Sequence, residues 1–97
     1  MIQVLLRPAA AADIEEAFAW YERQRPGLGN EFLDAIQSGI DSIATRLNTY
    51  PVVHRGTRRM LVRRFPYAIF YRTYGEVTVV IACMHGSRDP SRWNSRT

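Results

Sequence analysis

The fold turns on one stretch, Leu28-Gly29-Asn30-Glu31-Phe32-Leu33-Asp34-Ala35-Ile36-Gln37-Ser38-Gly39-Ile40-Asp41-Ser42-Ile43-Ala44-Thr45-Arg46-Leu47. Its residues Leu28, Phe32, Ile36, Ile40, Ile43 and Leu47 are spaced four, four, four, three and four apart, the period of one helix face. Immediately before it, Arg25-Pro26-Gly27-Leu28-Gly29 interrupts an earlier stripe in which Ile14, Ala17, Phe18 and Tyr21 recur at i, i+3, i+4 and i+7. Two helices joined by so short a turn fold back as an antiparallel hairpin. Pro8 suits the first turn of the earlier helix, and Asp13, Glu15 and Glu16 are placed to favour its positive end. Ahead of that, residues 2–6 form a short apolar run stopped by Arg7-Pro8, which suits a first strand.

After Tyr50-Pro51 the period changes. Residues 58–64, 67–74 and 77–84 are rich in β-branched and aromatic side chains, with Tyr74-Gly75-Glu76 as a tight hairpin turn between the last two. Residues 77–84 carry hardly a polar atom, so both faces of that strand should be covered. Asp89-Pro90 offers an N-cap followed by a proline, enough to start one helical turn carrying Trp93. The expected class is α+β in the order β-α-α-β-β-β. Its four-stranded, mainly antiparallel sheet carries the helical hairpin on one face and a short C-terminal helical turn, all in one domain over residues 1–97.

Charge is distributed unevenly. All 13 basic residues are arginines. Residues 1–50 carry four of them against seven acids, a net of −3, and residues 51–97 carry nine against two, a net of +7. A basic half of this kind attracts nucleic acid or an acidic protein segment, and charge alone does not separate the two. Residues 1–12 have no basic leader, and Arg7-Pro8 cuts their apolar stretch short, so they do not read as a signal peptide. No segment approaches the ~20 apolar residues of a membrane helix, and a cytoplasmic protein is expected. The single Cys83 forms no internal disulfide and reads as a small core residue. With only His54 and His85 beside it, neither a metal nor another cofactor is expected, and His54 has no obvious partner.

The segment Val62-Arg63-Arg64-Phe65-Pro66-Tyr67-Ala68-Ile69-Phe70-Tyr71 and the ending His85-Gly86-Ser87-Arg88-Asp89-Pro90-Ser91-Arg92-Trp93 resemble toxins of the RelE/ParE superfamily. Tyr21, the Arg-Pro-Gly-Leu-Gly turn and the exit Asn48-Thr49-Tyr50-Pro51 fall where that superfamily has them, so the resemblance spans nearly the whole chain. It implies the toxin of a type II toxin–antitoxin module. Such a growth inhibitor is silenced by a cognate antitoxin whose acidic, disordered C-terminal segment folds as it binds. Operator DNA is then reached only through the antitoxin. Antitoxin contacts are expected at Trp20 and Tyr21 on the hairpin and at the basic cluster Arg55, Arg58 and Arg59.

Two target classes exist among such toxins. ParE-like members bind DNA gyrase and are associated with plasmid stabilization; RelE-like members cut messenger RNA on the ribosome. Cutting needs a proton acceptor for the 2′-hydroxyl, a cation for the phosphorane and an acid for the leaving oxygen. For a nuclease the available set is His85 as acid or base with Arg63 and Arg88 on the phosphate. The inventory leans towards gyrase. The lysines of the nuclease are missing, Ala68 stands where several nucleases carry an arginine, and Trp93 replaces a tail tyrosine. Arg64, Arg92 and Trp93 are the expected target contacts. Bland readings stand beside these. His85 reads equally as a strand-end cap, and Arg63 and Arg64 point to opposite faces if their strand is regular.

Overall fold

A computed structural model describes residues 3–86 and 91–96. The strand β1 (Gln3–Leu6) leads into α1 (Pro8–Gln24), and α2 (Leu28–Thr45) folds back on it. There follow β2 (Val52–His54), β3 (Thr57–Leu61), β4 (Tyr67–Tyr74), β5 (Val77–His85) and the single turn α3 (Ser91–Asn94). The sheet order is β1-β5-β4-β3-β2. Among the described residues only the β1–β5 pair is parallel, with Gln3 opposite Val77 and Leu6 opposite Val80. The α+β class and the helical hairpin are as the sequence predicts.

The sheet has five strands, not the four expected. The additional strand, β2, is three residues long and too short to show a period. It pairs with β3 through Val52–Arg58 and His54–Thr57, around a turn in which Arg55 and Gly56 both have positive φ (44° and 78°). The third predicted strand is also shorter than expected. It ends at Leu61, because Arg64 takes a left-handed conformation (φ 72°) and Val62 N–H donates across a turn to the Tyr67 carbonyl at 2.9 Å. The alternation expected of Arg63 and Arg64 therefore does not apply to them.

Proline begins α1, as expected, but no acid lies in its first turn. The hairpin is closed by Glu22, whose carboxylate accepts from the backbone N–H of Gly27 at 3.0 Å and of Gly29 at 2.9 Å. These are donors at the start of α2 that the helix itself leaves unpaired. Gly29 permits the close approach: a Cβ there would lie 2.7 Å from the ring of Phe18.

Two apolar layers sandwich the sheet, as expected for a strand with so few polar atoms as β5. On the hairpin side Phe32, Ile36 and Ile43 of α2 pack with Met60, Ile69, Tyr71, Val80 and Cys83. On the far side Ala68, Phe70, Ile81, Ala82 and Met84 pack with Trp93. A bulge makes this distribution possible. Phe70 faces Ala82 but Tyr71 faces Val80, so Ile81 is an extra residue and joins Ala82 on the far side. At the exit of α2 the Tyr71 hydroxyl donates to the Leu47 carbonyl at 2.8 Å, and the Arg58 guanidinium donates to the carbonyls of Asn48 and Tyr50. Asp89 and Pro90, read as the start of the last helical turn, lie outside the described residues.

Candidate functional site

Strand β1 stops alongside Val80, where Arg7 N–H donates to the Val80 carbonyl at 3.0 Å, and the chain turns into α1. Beyond that point the rim of β5 faces α1 across an open groove of about 680 Å³. Glu16, Trp20 and Arg23 of α1, Tyr67 of β4, His85 of β5 and Arg92 of α3 line it.

Its upper part is aromatic. The indole of Trp20, 50% exposed, meets Tyr21 edge-on at 5.1 Å. Tyr21 continues edge-on to Phe65 at 4.9 Å and to Tyr67 at 6.1 Å, and Tyr67 meets the His85 imidazole at 5.5 Å. Burial raises the Tyr21 hydroxyl above its ordinary pKa, so it stays a neutral phenol at physiological pH. The floor is ionic. Asp13 accepts from Cys83 N–H at 3.0 Å and from both terminal nitrogens of Arg96, at 2.6 and 3.2 Å. Burial, and secondarily the Asp13 charge, pushes the Cys83 thiol up to about 12, so it is no nucleophile near neutrality.

The sequence-predicted residues divide. Trp20, Tyr21, His85 and Arg92 are brought together in this groove. Arg63 is exposed in the turn after β3 and does not line it. Arg64 reaches away to the start of α2, where it pairs with Glu31 at 2.8 Å and lies over the Phe65 ring. Arg88 lies outside the described residues. The basic trio is remote, on β3 and the β2–β3 turn, with β4 between it and β5. Arg55 and Arg59 are exposed there, whereas Arg58 is occupied in holding the exit of α2.

Trp93 needs a correction as a target contact. It is 7% exposed and stacks on Phe70 at 4.4 Å with an interplanar angle of 18°, so it anchors the tail to the sheet. Sequence reasoning gave Asp13 only a helix-start role and missed its pairing with Arg96. One signal was present: Asp13 lies four residues before Ala17 and eight before Tyr21, a carboxylate on the buried stripe of α1. Such a group requires a partner.

Among the described residues no cluster of three or more His, Cys, Asp or Glu is placed to hold a metal, and no helix is long and apolar enough to cross a membrane. Residues 4–90 match the family described as ParE toxin of the type II toxin–antitoxin system parDE. This chain belongs to the ParE toxin family. Toxin ParE2 of Mycobacterium tuberculosis, from strains CDC 1551 / Oshkosh and H37Rv alike, is 30% identical over 83 residues, covering 81% of this chain and 76% of the relative. In a solved structure of the chromosomal ParDE TA system from P. aeruginosa, one chain superimposes with a TM-score of 0.78 at 18% identity. That superposition covers 88% of this ParE-family chain and 96% of the other, a likeness of fold. Membership makes the protein the toxin of a ParDE type II module and implies an antitoxin partner.

Proposed function

We propose that this toxin arrests growth by binding DNA gyrase in the cytoplasm, with no bond-breaking step of its own, until its antitoxin covers it. Membership in the ParE family over residues 4–90 is the observation that carries this reading. Chemistry supports it. Where nuclease relatives carry an arginine, this chain has Ala68, 1% exposed and packed in the far-side layer. Arg63 stands outside the groove that holds His85, away from where it would have to meet a phosphate beside that imidazole. The surface offered to the target is the groove lined by Trp20, His85 and Arg92, with Arg64 as a further contact.

The antitoxin's acidic segment is drawn to Arg55 and Arg59, and its apolar residues to the helical hairpin. There Tyr21 and Trp20 flank one side. A shallow apolar hollow lined by Leu6, Ile14, Phe18 and Leu33 marks the other. Operator DNA is contacted through the antitoxin alone.

The deciding experiment adds the purified chain to gyrase and relaxed plasmid. Supercoiling should fall off as toxin approaches the concentration of enzyme, and induced cells should filament while methionine incorporation continues. Unchanged supercoiling over a wide range of toxin concentration overturns the proposal. A collapse of translation within minutes would replace it by messenger RNA cleavage centred on His85.

A further inference from the structure

The floor of the groove contains a device that the proposed function does not use. Past Val80 the rim of β5 has lost β1 as a neighbour, and its polar backbone groups need partners. Asp13 supplies an acceptor to Cys83 N–H, and Arg96 supplies a donor to the Ile81 carbonyl at 3.2 Å. These two side chains also bind each other, with only 16% of the Asp13 and 26% of the Arg96 side chain exposed. Arg7 closes the set by donating to the Arg96 carbonyl at 2.9 Å, and Arg96 N–H donates to the Trp93 carbonyl at 3.0 Å. Residues from the start of α1, the bulged part of β5 and the end of the chain thus meet at one carboxylate.

A four-residue helix has no stability of its own, so something outside α3 must hold it. Stacking of Trp93 on Phe70 fixes its inner face, and the Asp13–Arg96 pair fixes its far end. Arg92 is thereby presented in the groove that Trp20 and Glu16 also line.

We infer that Asp13 is a positioning residue of the toxin: through Arg96 it fixes the C-terminal tail, so that Arg92 lines the target-binding groove together with His85. This inference rests on the reading of the groove as the surface that meets the target. Asp13 touches no target itself.

Two substitutions test it. Asp13→Asn is isosteric and retains an oxygen for Cys83 N–H while removing the charge that holds Arg96. Arg96→Gln acts from the other side and lies in the tail, where it leaves the hairpin and sheet intact should the first variant fail to fold. In a Trp20→Phe background the indole N–H resonance of Trp93 reports the tail alone. Each variant should move that resonance towards its position in the unfolded chain. In the chain that retains Trp20, each should raise the inducer level needed for growth arrest about tenfold, the loss expected for one charge-assisted contact. The double variant should be no worse than either single one, and Arg96→Lys should restore part of the arrest.

A Trp93 resonance that stays in place, or arrest undiminished in both variants, overturns the inference, as does a parent chain that arrests nothing. Arrest by a parent that leaves gyrase untouched removes the proposed target and leaves the positioning role standing. A toxin that inhibits gyrase equally well with and without the ion pair does the reverse.

Discussion

Glu31 shows how far a single carboxylate can be committed in this fold. Hydrogen bonds from Arg64 and then Arg25, each at 2.8 Å, hold its carboxyl below the ordinary value of 4.5. A folded-state pKa that is depressed contributes stability above the unfolded value and loses it as pH falls through the folded one. Glu31→Gln should therefore lower the urea midpoint at neutral pH, with parent and variant converging in acid below the folded pKa. A gap that persists undiminished into acid would show that the loss is one of packing instead. At this scale much of the site was hidden from the sequence. Asp13 reads as a helix-start acid because local spacing is all that one dimension offers. Its partners, Cys83 and Arg96, lie 70 and 83 residues away. Arg58 and Trp93 look like surface groups for the same reason. Whether a cation or an indole faces solvent depends on the exit of α2 or on the far side of the sheet, and no periodicity reports either.

Among the elements, the hairpin was legible and the sheet only partly so. Leu28, Phe32, Ile36, Ile40 and Ile43 repeat often enough to define a face, whereas β2 offers three residues and β3 is cut short by the left-handed Arg64. The close contact of the two helices has a test of its own. A methyl group on Gly29 would press on Phe18 at 2.7 Å and on the Glu22 carboxylate, at 2.8 Å, that caps the start of α2. Gly29→Ala should thus destabilise the chain by about 1–3 kcal/mol, despite the better helix propensity of alanine. Thermal unfolding followed by circular dichroism measures it, and an unchanged or raised midpoint would mean that the helices separate without cost. Gly27 belongs to the same junction, since its φ of 90° lets the chain leave α1 and enter α2 within three residues.

For the molecule as a whole, two groups in the core bear on stability at high pH. Burial pushes the Tyr71 hydroxyl up to about 12 from 10.0, and burial with the nearby Asp13 charge pushes the Cys83 thiol up to about 12 from 9.0. Both are neutral acids with raised folded pKa values, so the stability they contribute is complete below the unfolded values and is lost as pH climbs towards the folded ones. Loss of stability should begin near pH 9. In Cys83→Ala its onset should move up towards the 10.0 of an unfolded tyrosine. Urea midpoints across this interval measure the shift, and identical curves would remove Cys83 from the account. The parallel pairing of β1 with β5 also bears on how the toxin is made. The first strand finds its neighbour only when Val77–His85 has been synthesised, while the carboxylate of Asp13 waits for Arg96, 83 residues further on. The groove therefore takes shape only after Arg92 and Arg96 have joined the hairpin and the sheet. A ribosome that stops before these residues yields a fragment lacking Arg92 on the lining of the groove and the Asp13–Arg96 pair on its floor.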